Sequence, residues 1–237
     1  YATLSAQAYA AGVDLAVWPE TAVRAPVLET PALRTRLFPP VNSRTTLIAG
    51  LIGTDPEGHR YNLGAAIAPG GAELARQAKV RLVPGTEAHF TAGAAWRPLP
   101  TPAGRIGVMI CLESVYPDAA RTLVGEGAEL LTVLSNDAGF GRSPITRHMT
   151  HRAAVRALET GRWLVRAGQA GISAIIDPRG QVRAQLGLFR PGVLLGEVRL
   201  RDDQTPFVRH GGWWMALCGT LLALGALAAA IRARRRS

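Results

Sequence analysis

Apolar residues gather in short runs along the first two hundred positions, and the stretches between the runs are polar or amphipathic. Residues 13–18, 46–51, 63–68, 106–111, 130–134, 172–176 and 193–198 are rich in Val, Ile and Leu and are predicted strands. Several of the runs are nearly continuous rather than alternating, as in strands covered on both faces. Helical spacing predicts an Ala-rich opening helix, a helix over 117–124 and another over 146–159, where Arg alternates with apolar positions. Strands interleaved with helices predict a layered α/β fold. Turn sequences punctuate the pattern at Asp55-Pro56-Glu57-Gly58 and Asp177-Pro178-Arg179-Gly180, and the second predicts a hairpin.

The last apolar run differs in kind. Residues 213–231 contain no charged side chain, and as a helix they would be roughly 28 Å long, against a hydrocarbon core of ~30 Å. Trp213 and Trp214 stand at one end, and Arg232, Arg234, Arg235 and Arg236 at the other. An aromatic belt and a positive flank predict a transmembrane helix over 211–231 with a basic cytoplasmic tail over 232–237, which places residues 1–210 on the opposite side. The chain opens at Tyr1 in what reads as the middle of a helix, with no charged segment before a short apolar run. No signal peptide is therefore expected, and the sequence reads as part of a longer chain.

Composition narrows the function classes. Hydrophobic residues at 48% and charged residues at 19% mark a globular chain with one large core rather than a disordered one. The net charge of +10 suggests nucleic acid, but the Arg residues are scattered, and their one dense cluster follows the apolar run. Zinc-finger spacing, an aromatic RNA-binding signature and a phosphate loop are all lacking, so a nucleic-acid partner is not expected. Of 27 basic residues only Lys79 is Lys. A lone Lys in so Arg-rich a chain suggests a task for a compact point charge that a planar guanidinium cannot perform. Cys111 and Cys218 are the two cysteines, and Cys218 lies inside the apolar run, so Cys111 is expected to be a free thiol. No His-Glu-x-x-His occurs, and His148 with His151 reads as a helix face, so no metal or other cofactor is expected.

Three motifs combine reactive groups with strand ends or loops: Val17-Trp18-Pro19-Glu20-Thr21, Lys79-Val80-Arg81-Leu82-Val83-Pro84 with Glu87 beyond it, and Val108-Met109-Ile110-Cys111-Leu112-Glu113. Strand ends and the loops after them are where α/β proteins place reactive groups. Each motif alone is weak, since a Cys ending an apolar strand is more often an inert core residue.

In this chain order, Glu, Lys and Cys resemble the catalytic set of the nitrilase superfamily. Leu134-Ser135-Asn136-Asp137-Ala138, Arg147-His148, Arg156-Ala157-Leu158-Glu159, Gly161-Arg162 and Gly171-Ile172-Ser173-Ala174-Ile175-Ile176-Asp177 resemble its apolipoprotein N-acyltransferase branch. So does the apolar C-terminal helix. The resemblance implies a nitrilase-like αββα sandwich whose first strand and amino-terminal membrane helices are not in this sequence. It implies Glu20 as general base, Cys111 as nucleophile, and Lys79 with the backbone N–H of Leu112 holding an oxyanion. Glu87 and Glu113 would be supporting carboxylates. The implied partners are a phospholipid acyl donor and a diacylglyceryl-modified apolipoprotein acceptor, at the bacterial inner membrane with the catalytic domain extracytoplasmic. Gly139, Leu112 and the Gly85-Thr86-Glu87 sequence depart from that branch at its acyl pocket and loops. Two alternatives stay open: a membrane-tethered amidase or carbamoylase, and a non-catalytic binding domain.

Overall fold

The computed structural model describes residues 1–234, so Arg235 and Arg236 of the expected basic tail lie outside the described residues. Two sheets form the middle of the molecule. The first contains β1 (Leu15–Val17), β2 (Thr46–Thr54), β3 (Arg60–Ile67) and β4 (Glu73–Ala78), in that spatial order. The second contains β5 (Leu99–Thr101), β6 (Gly104–Ile110), β7 (Leu130–Asn136), β8 (Leu164–Gln169), β9 (Ser173–Ile176) and β10 (Val182–Leu186), ordered β10-β9-β8-β7-β6-β5. Its centre, β6-β7-β8, is parallel, and its margins are antiparallel.

Three apolar clusters define four layers. Ile48 and Ala66 of the first sheet meet Val108, Ile110 and Leu134 of the second, making the layer between the sheets. Leu47, Ala49 and Ala65 turn the other way, onto the segment Trp18–Phe38 that includes α2 (Pro31–Leu37), with Ala2 of α1 (Ala2–Ala10) packed at the margin. On the far side of the second sheet, Met109, Leu131, Val133 and Leu164 pack against α3 (Pro117–Gly125), α4 (Ile145–Thr160) and Val208 of α5 (Pro206–His210). The alternation of odd and even positions within one strand, Leu47 outward and Ile48 inward, is the period-2 geometry of a pleated sheet. The result is the expected αββα sandwich. Gly64 lets the sheets close, because a Cβ there would reach within 2.6 Å of the Val108 side chain.

Beyond the sandwich runs α6 (Trp213–Arg234), whose 19-residue apolar stretch Met215–Ala233 has a mean hydropathy of 1.8 and is left uncovered by the other described residues. Such a helix is long and apolar enough to cross a bilayer.

One predicted strand does not form. Residues 193–198 carry no strand, and among the described residues no backbone hydrogen bond ties them to a ladder. They border a cavity of about 1110 Å³ beside β1, the unpaired edge of the first sheet. An apolar run without a neighbouring strand has no ladder to join, whatever its propensity. The hairpin expected at 177–180 is present between β9 and β10.

Candidate active site

The three motifs converge although they come from both sheets. Trp18 leaves β1 with its N–H bonded to Ile48 (2.8 Å), and the chain turns at Pro19 so that Glu20 and Thr21 lie over β2. That approach requires Gly50, where a Cβ would overlap the Pro19 carbonyl oxygen and the Glu20 backbone. Lys79 follows β4, tied through its N–H to Asn62 of β3 (2.9 Å). Cys111 follows β6 and opens a 3-10 turn, Cys111–Val115, with φ of 52°. A left-handed backbone at a non-glycine residue is a costly conformation, and here it marks a sharp strand-to-helix turn that presents a side chain.

Glu20 is buried, with both carboxylate oxygens held and acceptor capacity left on Oε2. Its Oε1 accepts from Lys79 Nζ (2.9 Å) and Asn62 Nδ2 (2.7 Å), and its Oε2 accepts from the Asn136 backbone N–H (2.9 Å). Lys79, 1% exposed, also donates to Glu87 Oε1 (2.9 Å). Glu87 in turn accepts from Asn62 Nδ2 (3.0 Å) and the Val83 N–H (2.7 Å). Burial pulls the Lys79 ammonium down, but Glu20, Cys111 and the bonds to both carboxylates outweigh it, so its pKa stands above the ordinary value. Burial also works against the Glu87 carboxylate, yet the bonds from Lys79, Val83 and Asn62 leave its pKa lowered. The ammonium is therefore firmly charged, a fixed cation inside the fold.

Glu113, fully buried, ties the nucleophile turn to the Lys79 loop. Its Oε2 accepts from the Ile110 N–H (2.7 Å), and its Oε1 accepts from Val80 N–H (2.7 Å), Arg81 N–H (3.1 Å) and Trp96 Nε1 (3.0 Å). Burial raises its pKa in spite of those four donors. Leu112 is half-buried in the 3-10 turn directly after Cys111.

The Cys111 thiol is pushed up to about 11, by burial first and then by Glu20, while Lys79 and Ser135 pull it down. A thiol so placed is neutral at pH 7 and needs a base as it attacks. The adjacent buried carboxylate, Glu20, has the chemistry for that base. Sequence reasoning missed Asn62, which bonds both Glu20 and Glu87 from the middle layer. A polar amide beside a nearly continuous apolar strand was the available signal, and its 1% exposure explains why it matters. Asp55, Glu57 and His59 offer three ligand atoms near one another on the exposed β2–β3 turn, and His148 and His151 lie side by side, exposed, on α4.

The two-sheet αββα sandwich, with Glu20 and Lys79 hydrogen-bonded at the strand ends and Cys111 beside them, defines the class by its fold. Residues 1–204 match the carbon-nitrogen hydrolase family, and the chain belongs to that family. It is 34% identical over 260 residues to an apolipoprotein N-acyltransferase of Geobacter metallireducens, covering 100% of this chain and 49% of the relative. A protein of the same name from Azotobacter vinelandii is 35% identical over 239 residues, covering 90% of this chain and 45% of the relative. The chain thus spans about half the length of the curated relatives it matches. Among solved structures, an amidase mutant from Nesterenkonia sp. AN1, bearing acrylamide on its active-site cysteine, superposes with a TM-score of 0.69 at 22% identity, covering 91% of this chain and 89% of that one. At that identity the likeness concerns the fold.

Proposed function

We propose that the chain is the catalytic part of a membrane-anchored N-acyltransferase that works through a thioester on Cys111. The observation that carries this reading is the placement of a buried, doubly paired Lys79 and a buried Glu20 around a buried thiol at the strand ends. Glu20 takes the Cys111 proton as sulfur attacks the ester carbonyl of a phospholipid. The oxyanion that develops is held by Lys79 and the Leu112 N–H, donors worth ~3–4 kcal/mol each when preorganised in a dry site. Collapse breaks the ester C–O bond, Glu20 returns the proton to the departing lysophospholipid, and the acyl chain stays on sulfur. The α-amine of a diacylglyceryl-cysteine then attacks the thioester, Glu20 takes its proton, and as the C–S bond breaks and the amide forms Glu20 passes that proton to the Cys111 sulfur, restoring the thiol. Glu87 and Glu113 orient Lys79 and the nucleophile turn.

Similarity to the named N-acyltransferases supports this reading over simple amide hydrolysis. The apolar helix α6 supports anchorage in the membrane that holds both substrates, with residues 1–210 as the catalytic domain. The basic residues after the span support a cytoplasmic C-terminus and an extracytoplasmic catalytic domain, at the bacterial inner membrane. The test is a chase. The full chain in micelles is loaded with a radiolabelled acyl chain from phospholipid, then mixed with a diacylglyceryl-cysteine peptide or with buffer. Transfer of label to the peptide amine is expected; release as free fatty acid at the same rate with and without peptide would refute acyl transfer.

A further inference from the structure

The tripeptide Ser135-Asn136-Asp137, at the end of β7, touches both halves of the site and is itself anchored beneath it. Leu134 pairs with Ile110 across the β6–β7 ladder, which sets Ser135 beside Cys111, where it draws the thiol pKa down; its hydroxyl donates to Asp137 Oδ1 (2.6 Å) and accepts from Arg166 Nη2 (3.4 Å). Asn136 reaches the other sheet: its backbone N–H donates to Glu20 Oε2 (2.9 Å), and its side-chain amide donates to the Thr21 hydroxyl (3.3 Å). Asp137, 1% exposed, is fixed by an ion pair with Arg166 of β8 (2.7 Å) and by its N–H on the Gln169 carbonyl (3.0 Å). Gly171 presses on the same carboxylate so closely that a Cβ there would overlap it, and its neighbour Ala170 takes a left-handed φ of 57° to allow this.

Arg166 is an expensive residue to keep there. Its side chain is fully buried, Nη2 bonds Asp137 and Ser135, and among the described residues no side chain or backbone group pairs with Nε or Nη1. A buried ion pair with unpaired donors is poor stabilisation compared with apolar packing, so its presence beside a reactive thiol points to a role in the site. We propose that Ser135, Asp137 and Arg166 form a buried positioning unit that holds the Cys111 thiol, on the second sheet, in register with the Glu20 carboxylate, on the first. The charged groups around the sulfur are then Glu20 and Lys79 from the first sheet, and Asp137 and Arg166 from the second. This inference rests on the reading of Cys111 as nucleophile and Glu20 as its base.

The test uses the full chain in micelles and two variants, Asp137→Asn and Ser135→Ala. The readouts are the pH profile of Cys111 alkylation by iodoacetamide, thermal melting, and acyl-enzyme formation from phospholipid. Ser135→Ala keeps the Asp137–Arg166 ion pair and removes the hydroxyl beside the sulfur together with its bonds to Asp137 and Arg166; its alkylation profile is expected to move to higher pH. Asp137→Asn removes a negative charge near the sulfur, and its profile is expected to move to lower pH, while acyl-enzyme formation slows ~10–100-fold because Glu20 loses its register. A merely structural role would not shift the two profiles in opposite directions. If Asp137→Asn does not fold, Ser135→Ala decides alone. Profiles matching the unsubstituted chain in folded variants overturn the proposal. Opposite shifts together with no acyl-enzyme in the unsubstituted chain would support the positioning unit and count instead against the acyl-transfer reading.

Discussion

At the residue scale the site turns on a cation that must be small. Lys79 sits between Glu20 and Glu87 with almost no exposure, and its ammonium meets both carboxylates as a point charge. A guanidinium is broader and planar, so Lys79→Arg would have to displace one of those carboxylates or Asn62. Acyl-enzyme formation by Lys79→Arg is expected to fall at least ~100-fold, measured by single-turnover labelling with the melting temperature as a control. Cys111 makes a second prediction. Because burial first, and Glu20 next, raise its pKa from 9.0 to about 11, the folded state favours the neutral thiol. The stability this contributes is present below pH 9 and is lost as pH rises through about 11. The unsubstituted chain should therefore lose more stability than Cys111→Ser between pH 9 and 11 in urea titrations, and equal losses would contradict the burial of the thiol. The convergence of Glu20, Lys79 and Cys111 was legible in the sequence because each is a reactive type at a strand end or in the loop beyond it, in a recognisable order. Asn62 and Arg166 were not, because nothing local in the chain says that a polar residue within a strand faces a site built from two sheets.

At the scale of elements, what could be read was what carries its own pattern. The apolar strands β2, β3, β6, β7 and β9 and the helices α3 and α4 stand close to their predicted positions. The strand β4, Glu-Leu-Ala-Arg-Gln-Ala, mixes polar and apolar residues without strict alternation at a sheet edge and lacks an apolar run. β5 has three residues, β8 is interrupted by Arg166, and β10 is a mostly exposed edge. These are strands by virtue of their neighbours. Residues 193–198 show the converse, an apolar run with no neighbour to pair with. The element most constrained by the site is β2, where Gly50 admits the turn that delivers Glu20. Gly50→Ala should destabilise the fold by ~1–3 kcal/mol in denaturant titration and slow acyl-enzyme formation together. Stability and activity both unchanged would mean that the Pro19–Glu20 turn does not rest on β2.

At the scale of the whole molecule, a four-layer sandwich is joined to a single apolar helix that the sandwich does not cover. If α6 spans a bilayer, charges at its middle are costly, ~2.5–3.5 kcal/mol for each Arg. Leu222→Arg with Leu227→Arg is expected to move the protein from the carbonate-resistant membrane fraction to the soluble one; retention in the membrane would assign the anchoring to another surface. Both proposed substrates are lipids held in that bilayer, so an anchored sandwich meets donor and acceptor without releasing either. The most direct measurement is the intact mass of the full chain after incubation with a phospholipid of defined acyl composition. A gain of one acyl chain, removed by hydroxylamine and absent in Cys111→Ala, is the predicted result. An unchanged mass in folded protein, or an adduct that persists in Cys111→Ala, would contradict a thioester on Cys111.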